Sequence, residues 1–315
     1  MMVWALRGVH LDQVIQHIRG ARPWPIAVSV VLATLTFPIR LIRWRLLLRR
    51  DDGSPLPVLP VWHAVAIGFM ANNILPFRAG ELVRLIAVTR LAKVRFSSAL
   101  SSIAVERIFD GLAVVALLSL ALLWSDLPAG VSVGGGSLAH VARVTGALGV
   151  AALMAAGVVV AFPLAAERVI RRALPAGRFA DRLVALLEGI RQGLTALRSP
   201  TRLLAVSAWS LVLWLVNGWA FYAMFPAFGI GVSFMGALLL QGILVFGISV
   251  QLTPGFVGQF EAAIVAALAL YGVPNDVASS YAITFHGTTF LPIILLGAWS
   301  LARTSLTLGD LRQAT

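Results

Sequence analysis

Apolar positions run through this chain in long stretches, and the places where they stop are as informative as the stretches themselves. Runs of about 18 or more apolar residues, enough to cross a hydrocarbon core of about 30 Å, recur along the sequence. The pattern predicts full spans at 25–48, 98–124, 138–162, 203–225 and 278–301. Two further pairs of apolar segments, within 61–92 and 234–272, are each interrupted by Pro, Gly and polar residues and read as helical hairpins. Near the N-terminus, Val9, Leu11, Val14, Ile15 and Ile18 recur at helical spacing, which predicts an amphipathic helix at the interface within residues 1–23. The fold class expected is therefore an all-α integral membrane protein. It has about five full transmembrane helices plus two re-entrant helical hairpins in an inverted repeat, forming one polytopic domain over residues 1–315.

Composition agrees with the pattern: 59% hydrophobic, 12% charged, with a mean hydropathy of +0.90. The formal charge of +12 comes from 25 basic residues, of which only Lys93 is not Arg. In a membrane protein such residues collect in cytoplasmic loops, so the excess is read as topogenic and not as a nucleic-acid footprint. Segments 40–50, 78–95 and 163–202 hold five, five and eight Lys/Arg, whereas 125–137, 226–233 and 272–277 hold none. That asymmetry places the first set in the cytoplasm, with 163–202 a cytoplasmic basic loop and the C-terminus inside. It requires 61–92 to enter and leave from the cytoplasm and 234–272 from outside. The N-terminus shows no cleaved signal peptide pattern. Zero cysteines exclude a disulfide framework, thiol catalysis and Cys-ligated metal centres.

The interruptions carry the candidate chemistry. "ANNILPFRAGELVRL" (71–85) and "SVQLTPGFVGQFEAA" (249–263) share an order of apolar run, Pro, Gly, carboxylate and apolar run. Aligning Pro76 with Pro254 also aligns Gly80 with Gly258. Unwound backbone at membrane depth survives only when buried in protein or lining a wet cavity, and Asn72 and Asn73 are expected to bond the freed groups. Two such breaks in corresponding halves point to a midplane site between inverted repeats. Within span 98–124, Glu106, Arg107 and Asp110 lie near mid-bilayer, where an ionised group costs at least ~2.5–3.5 kcal/mol on insertion scales. Arg78, Arg84 and Arg107 set against Glu81, Glu106 and Asp110 make a mixed-charge site, and Arg forks suit phosphate. Asn217 and Gln241 are expected to bond between helices, His286 to be a packing residue, and Trp4, Trp24, Trp44, Trp62 and Trp124 to anchor at interfaces.

At these residues the chain resembles the membrane region of the lysylphosphatidylglycerol synthase/flippase family. "NNILPFRAGELVRL", "ALSSIAVERIFDGL" and "LTPGFVGQFEAA" carry the likeness, with "RWR" at 43–45, over roughly residues 25–305. The resemblance implies a stand-alone member without the synthase domain, in a bacterial-type cytoplasmic (inner) membrane, translocating a lipid. By position it nominates Asn73, Arg78, Glu81, Arg84, Glu106, Arg107, Asp110 and Glu261 as substrate-binding. Pro76, Gly80, Pro254, Gly255 and Gly258 shape the hairpin breaks. The second motif departs from the family by lacking a Gly-Gly after its Pro. No cofactor and no metal are implied. The partners expected are the bilayer and a lipid substrate, and also a lipid- or glycan-synthesis enzyme. Two alternatives stay open: a membrane-embedded lipid-modifying enzyme such as a polyprenyl-linked sugar transferase, with Asp51 and Asp52 as a conceivable metal site, or a non-transporting partner of a synthesis complex.

Overall fold

A computed structural model describes residues 11–50, 52–124, 126–127, 132–133, 136–161 and 199–306. The basic loop expected at 163–202 falls almost wholly outside these residues, as do Trp4 and Asp51. The described chain is α-helical apart from two two-residue strands, Ser132–Val133 and Gly136–Ser137, paired antiparallel. In order, the helices are α1 Leu11–Gly20, α2 Pro23–Leu47, α3 Val58–Ile74, α4 Ala79–Ala92, α5 Phe96–Trp124, α6 Leu138–Ala161, α7 Pro200–Met224, α8 Phe234–Gly247, α9 Gln259–Ala269 and α10 Asn275–Ala302. Four helical segments are long and apolar enough to cross a membrane: Pro23–Leu47, Phe96–Trp124, Thr201–Phe228 and Asn275–Ala302. The 24-residue α6 coincides with the fifth expected span. Apolar side chains left exposed along these helices, such as Val31, Leu112, Leu211 and Leu295, are the faces that a bilayer covers. This is an integral membrane protein of the all-α class.

The short helices pair as expected, α3 with α4 and α8 with α9. More telling is how each pair meets the rest. α2 packs on α7; α3 packs on α10, and α8 packs on α5; α2 also meets α10, and α7 meets α5. Exchanging α2, α3, α4 and α5 for α7, α8, α9 and α10 leaves this pattern of contacts unchanged, as a two-fold relation between halves requires.

The breaks repeat the relation at the level of the backbone. Pro76 is followed by Phe77 and Arg78 with φ of 55° and 54°, and Pro254 by Gly255 and Phe256 with φ of 61° and 60°. Under the alignment of Pro76 with Pro254 these left-handed pairs coincide. Non-glycine residues in that region cost of order 1–3 kcal/mol and persist only where their surroundings hold them. Here one side chain does much of the holding. Gln251 donates from Nε2 to the carbonyls of Asn72 (2.9 Å), Leu75 (3.0 Å) and Thr253 (3.3 Å), and its Oε1 accepts from the Arg78 amide at 2.8 Å. The expectation that Asn72 and Asn73 serve the freed backbone is corrected. Asn72 Oδ1 and Asn73 Nδ2 are buried without a partner, because both residues still belong to α3 and the Asn72 and Leu75 carbonyls are reached from the other hairpin. Gln259 does the same locally, accepting from the Leu252 amide at 2.8 Å and donating to the Val250 carbonyl at 3.0 Å.

Gly80 makes the first hairpin possible. A Cβ there would run into the Gly68 carbonyl and the backbone and side chain of Asn72, so α3 and α4 cross with backbone nearly in contact. Gly80→Val should therefore lower stability by roughly 1–3 kcal/mol, the cost of overpacking, read as a fall in the thermal midpoint of the purified protein. Gly20→Ala, where the added methyl meets open space, serves as the control and should leave the midpoint unchanged.

Candidate functional site

The ionised residues of α5 are assembled by four helices. Glu106, 1% exposed, accepts a bidentate pair from Arg84 of α4 (Nη1 to Oε1 3.1 Å, Nη2 to Oε2 2.8 Å). It also meets Arg43 Nη2 of α2 at 3.0 Å and Arg107 Nη2 at 3.2 Å. Asp110, one helical turn on, takes both Nη atoms of Arg43 and the indole N–H of Trp214 on α7 at 3.0 Å. Arg43 Nη1 also donates to Ser210 Oγ of α7 at 3.0 Å. Two carboxylates in apolar surroundings are thus each met by at least two guanidinium groups, which is how buried charge is sustained.

Two sequence readings change here. Arg43 is not a loop residue of a basic cluster: it lies inside α2, fully buried, and is a central cation of the network. Trp44 is not an interfacial anchor. It is buried, donates to Ser102 Oγ at 2.9 Å, and stacks under Arg84, whose guanidinium carbon is 3.6 Å from the ring centroid. The apolar neighbours of "RWR" place it within the span, and that was the available signal. Trp24 and Trp124 are exposed as anchors would be.

Arg107 differs from its neighbours. Its side chain is 37% exposed, its Nη1 lies 3.6 Å from Asp110 Oδ2, and its Nε lies 3.9 Å from Glu81 Oε1. Together with Arg40, Arg78, Glu81 and Arg84 it lines a cavity of about 240 Å³ between the hairpins. That volume is far above the ~10–15 Å³ that admits one water. Amides of Asn72, Asn73, Asn217 and Gln241 and rings including Phe69, Phe221 and Phe256 complete the wall. Asn217 donates to Gln241 at 3.1 Å, the interhelical bond expected of the pair. Arg40 was read as part of a basic loop; it sits in α2 instead, its guanidinium carbon 4.6 Å from the centroid of Phe69.

Glu261 is held apart from this cluster, at an adjoining hollow of about 390 Å³ that shares Asn73 and Phe290 with the first. Its Oε2 accepts from the Gly258 amide at 2.6 Å, capping α9, and its Oε1 bonds His286 Nδ1 on α10. His286 Nε2 meets the Gly255 carbonyl at 2.9 Å. A carbonyl only accepts, so Nε2 carries a proton and a second proton is shared between Nδ1 and the carboxyl. Whichever side holds it, the pair has no net charge. His286, read as a packing residue, is the partner of Glu261. Asp52, the describable half of the conceivable metal pair, accepts from the Ser54 amide at 2.8 Å, the bond that closes an Asx turn.

Comparison with known proteins identifies the family. The family model "Lysylphosphatidylglycerol synthase TM region" matches residues 1–297. Glycosyltransferase AglD of Haloferax volcanii is 29% identical over 343 residues, covering 98% of this chain and 54% of that protein. The chain thus spans about half the length of that relative. A UPF0104 membrane protein of Methanothermobacter thermautotrophicus is 25% identical over 301 residues, 87% of this chain and 81% of the relative. With nearly its whole length matched by the family model, the chain belongs to the lysylphosphatidylglycerol synthase TM-region family.

Proposed function

We propose that this protein moves an amphiphilic, phosphate-bearing lipid across its membrane, the headgroup passing through the cavity between the hairpins while the acyl or prenyl tails stay in lipid. The observation that carries the reading is the arginine-lined cavity at the point where two interrupted helices meet. Water-sized space, amide groups and exposed guanidinium at membrane depth offer a polar track to a headgroup and nothing to its tails. In this reading the halves form an inverted repeat and 61–92 and 234–272 are re-entrant from opposite faces. Arg78, Glu81, Arg84, Arg107 and Asn73 face the cargo, while Glu106 and Asp110 hold the arginines in place and Glu261 fixes the second break.

A second reading is a membrane-embedded enzyme acting on a polyprenyl-linked sugar, favoured by the name of the Haloferax relative. Sugar transfer by the purified chain from a polyprenyl-phosphate donor, with no lipid translocation, would establish it in place of transport.

Three outcomes are expected. In proteoliposomes carrying a fluorescent phospholipid, Arg107→Ala and Glu81→Ala abolish translocation with the thermal midpoint retained; wild-type rates in both variants would overturn the site assignment. Arg43→Ala, by contrast, leaves Glu106 and Asp110 short of a buried counter-charge and should destabilise the fold by about 3–5 kcal/mol, seen as loss of monodisperse protein. Because the chain has no cysteine, Leu59→Cys at the base of the first hairpin and Asn275→Cys just after the second, both exposed, report topology directly. Opposed hairpins require the two to label from opposite faces, and labelling of both from one face alone would refute them.

A further inference from the structure

The charges around the cavity do not balance, and we infer that it selects a headgroup of net negative charge, anchored by Arg40, over the cationic aminoacylated phospholipids for which the family is named. The inference rests on the cavity being a lipid-headgroup site. Five guanidinium groups, those of Arg40, Arg43, Arg78, Arg84 and Arg107, face three carboxylates, those of Glu81, Glu106 and Asp110, leaving an excess of two positive charges. Glu261 does not redress this, because its shared proton with His286 makes that pair neutral.

The excess is localised. Arg43 and Arg84 commit their Nη groups to Glu106 and Asp110, and Arg107 has three carboxylates in range. Asp110 and Glu106 act on Arg40 only at longer range: among the described residues no carboxylate lies within ion-pairing distance of it and no acceptor takes a hydrogen bond from it. It lies three residues before Arg43 on α2, so both acids of α5 are already taken by its neighbour, and its guanidinium rests against Phe69 with the cavity before it. Arg78 reaches only the Ile248 carbonyl, at 3.2 Å. Hydrogen-bond capacity tilts the same way. The Nε atoms of Arg78, Arg84 and Arg107 and Nδ2 of Asn73 are buried donors without a partner, against one buried unpaired acceptor on the same wall, Asn72 Oδ1, and the partly exposed Glu81 carboxylate 3.9 Å from Arg107 Nε. A cavity short of acceptors and of negative charge fits a phosphate ester, whose oxygens only accept and whose charge at neutral pH reaches about −1.5 to −2 for a monoester. Lysyl esterification of phosphatidylglycerol instead sets two ammonium groups against one phosphate. That headgroup would add positive charge and donors where both are already in surplus.

The test is equilibrium binding to the full purified chain in detergent, with farnesyl phosphate, farnesol, inorganic phosphate and dioctanoyl lysylphosphatidylglycerol as probes. Farnesyl phosphate is expected to bind at least about tenfold more tightly than each of the others, the scale of one charge-assisted hydrogen bond. Arg40→Gln should remove about that factor and Arg40→Lys should restore most of it. Lysylphosphatidylglycerol or farnesol binding as tightly as farnesyl phosphate would overturn the inference. So would inorganic phosphate alone binding equally well, which would mark a free-anion site. The wild-type comparison decides even where a variant fails to fold. If the expected order holds but no lipid crosses in proteoliposomes, the transport reading falls and the charge selectivity stands. If lipids cross irrespective of headgroup charge, the reverse is true.

Discussion

Glu106 and Asp110 cannot be ionised in an apolar bundle unless cations come to them, and much of the arrangement follows from how those cations are delivered. Arg43 arrives on α2, Arg84 on α4 and Trp214 on α7, so two acids on one helix fix the relative positions of three others. Arg84 is itself kept in place by Trp44 beneath it. The ion network is thus a structural clamp, and the polar cavity beside it is lined by those groups that the clamp does not fully enclose. Arg107 belongs to both: it touches Glu106 and yet stays more than one-third exposed.

The two halves solve the same mechanical problem with different chemistry. In each, the second helix of a broken hairpin must be secured to the long helix that follows. In the first half Arg84 of α4 grips Glu106 of α5; in the second, Glu261 of α9 bonds His286 of α10. The backbone of the breaks has stayed alike, with a Pro and two left-handed residues in each, whereas the side-chain clamps have diverged. One half therefore presents fixed positive charge and the other a neutral, proton-sharing pair. A two-fold backbone frame is compatible with a single asymmetric headgroup.

Much of this was legible from residue order. Long apolar runs fixed the spans because backbone groups in lipid have no partner but their own helix, and the ends of α2, α5, α6, α7 and α10 fall within about three residues of the expected positions. The repeat was legible because Pro and Gly at matched spacing leave few backbone options. What residue order hid was pairing across the fold. Arg43 looked like the basic end of a span, since a sequence does not reveal that two carboxylates sixty-odd residues away need it, nor that Arg40 on the same helix faces a cavity. His286 looked inert for the same reason. Gln251 stands in the sequence as one polar residue of the second break, and its reach to the first hairpin is a tertiary fact with no local signature.

That reach has a mechanical consequence. Gln251 binds the first hairpin through the Asn72 and Leu75 carbonyls and the Arg78 amide, three bonds made by one amide group, beside the bond from the Arg78 guanidinium to the Ile248 carbonyl. Any motion that drew the tips apart would break all three together and strand buried polar backbone on both sides. A motion that carried the tips as one piece, with the long helices tilting around them, would break none. The amide therefore ties the two tips into one unit that a tilt of the surrounding helices need not disturb.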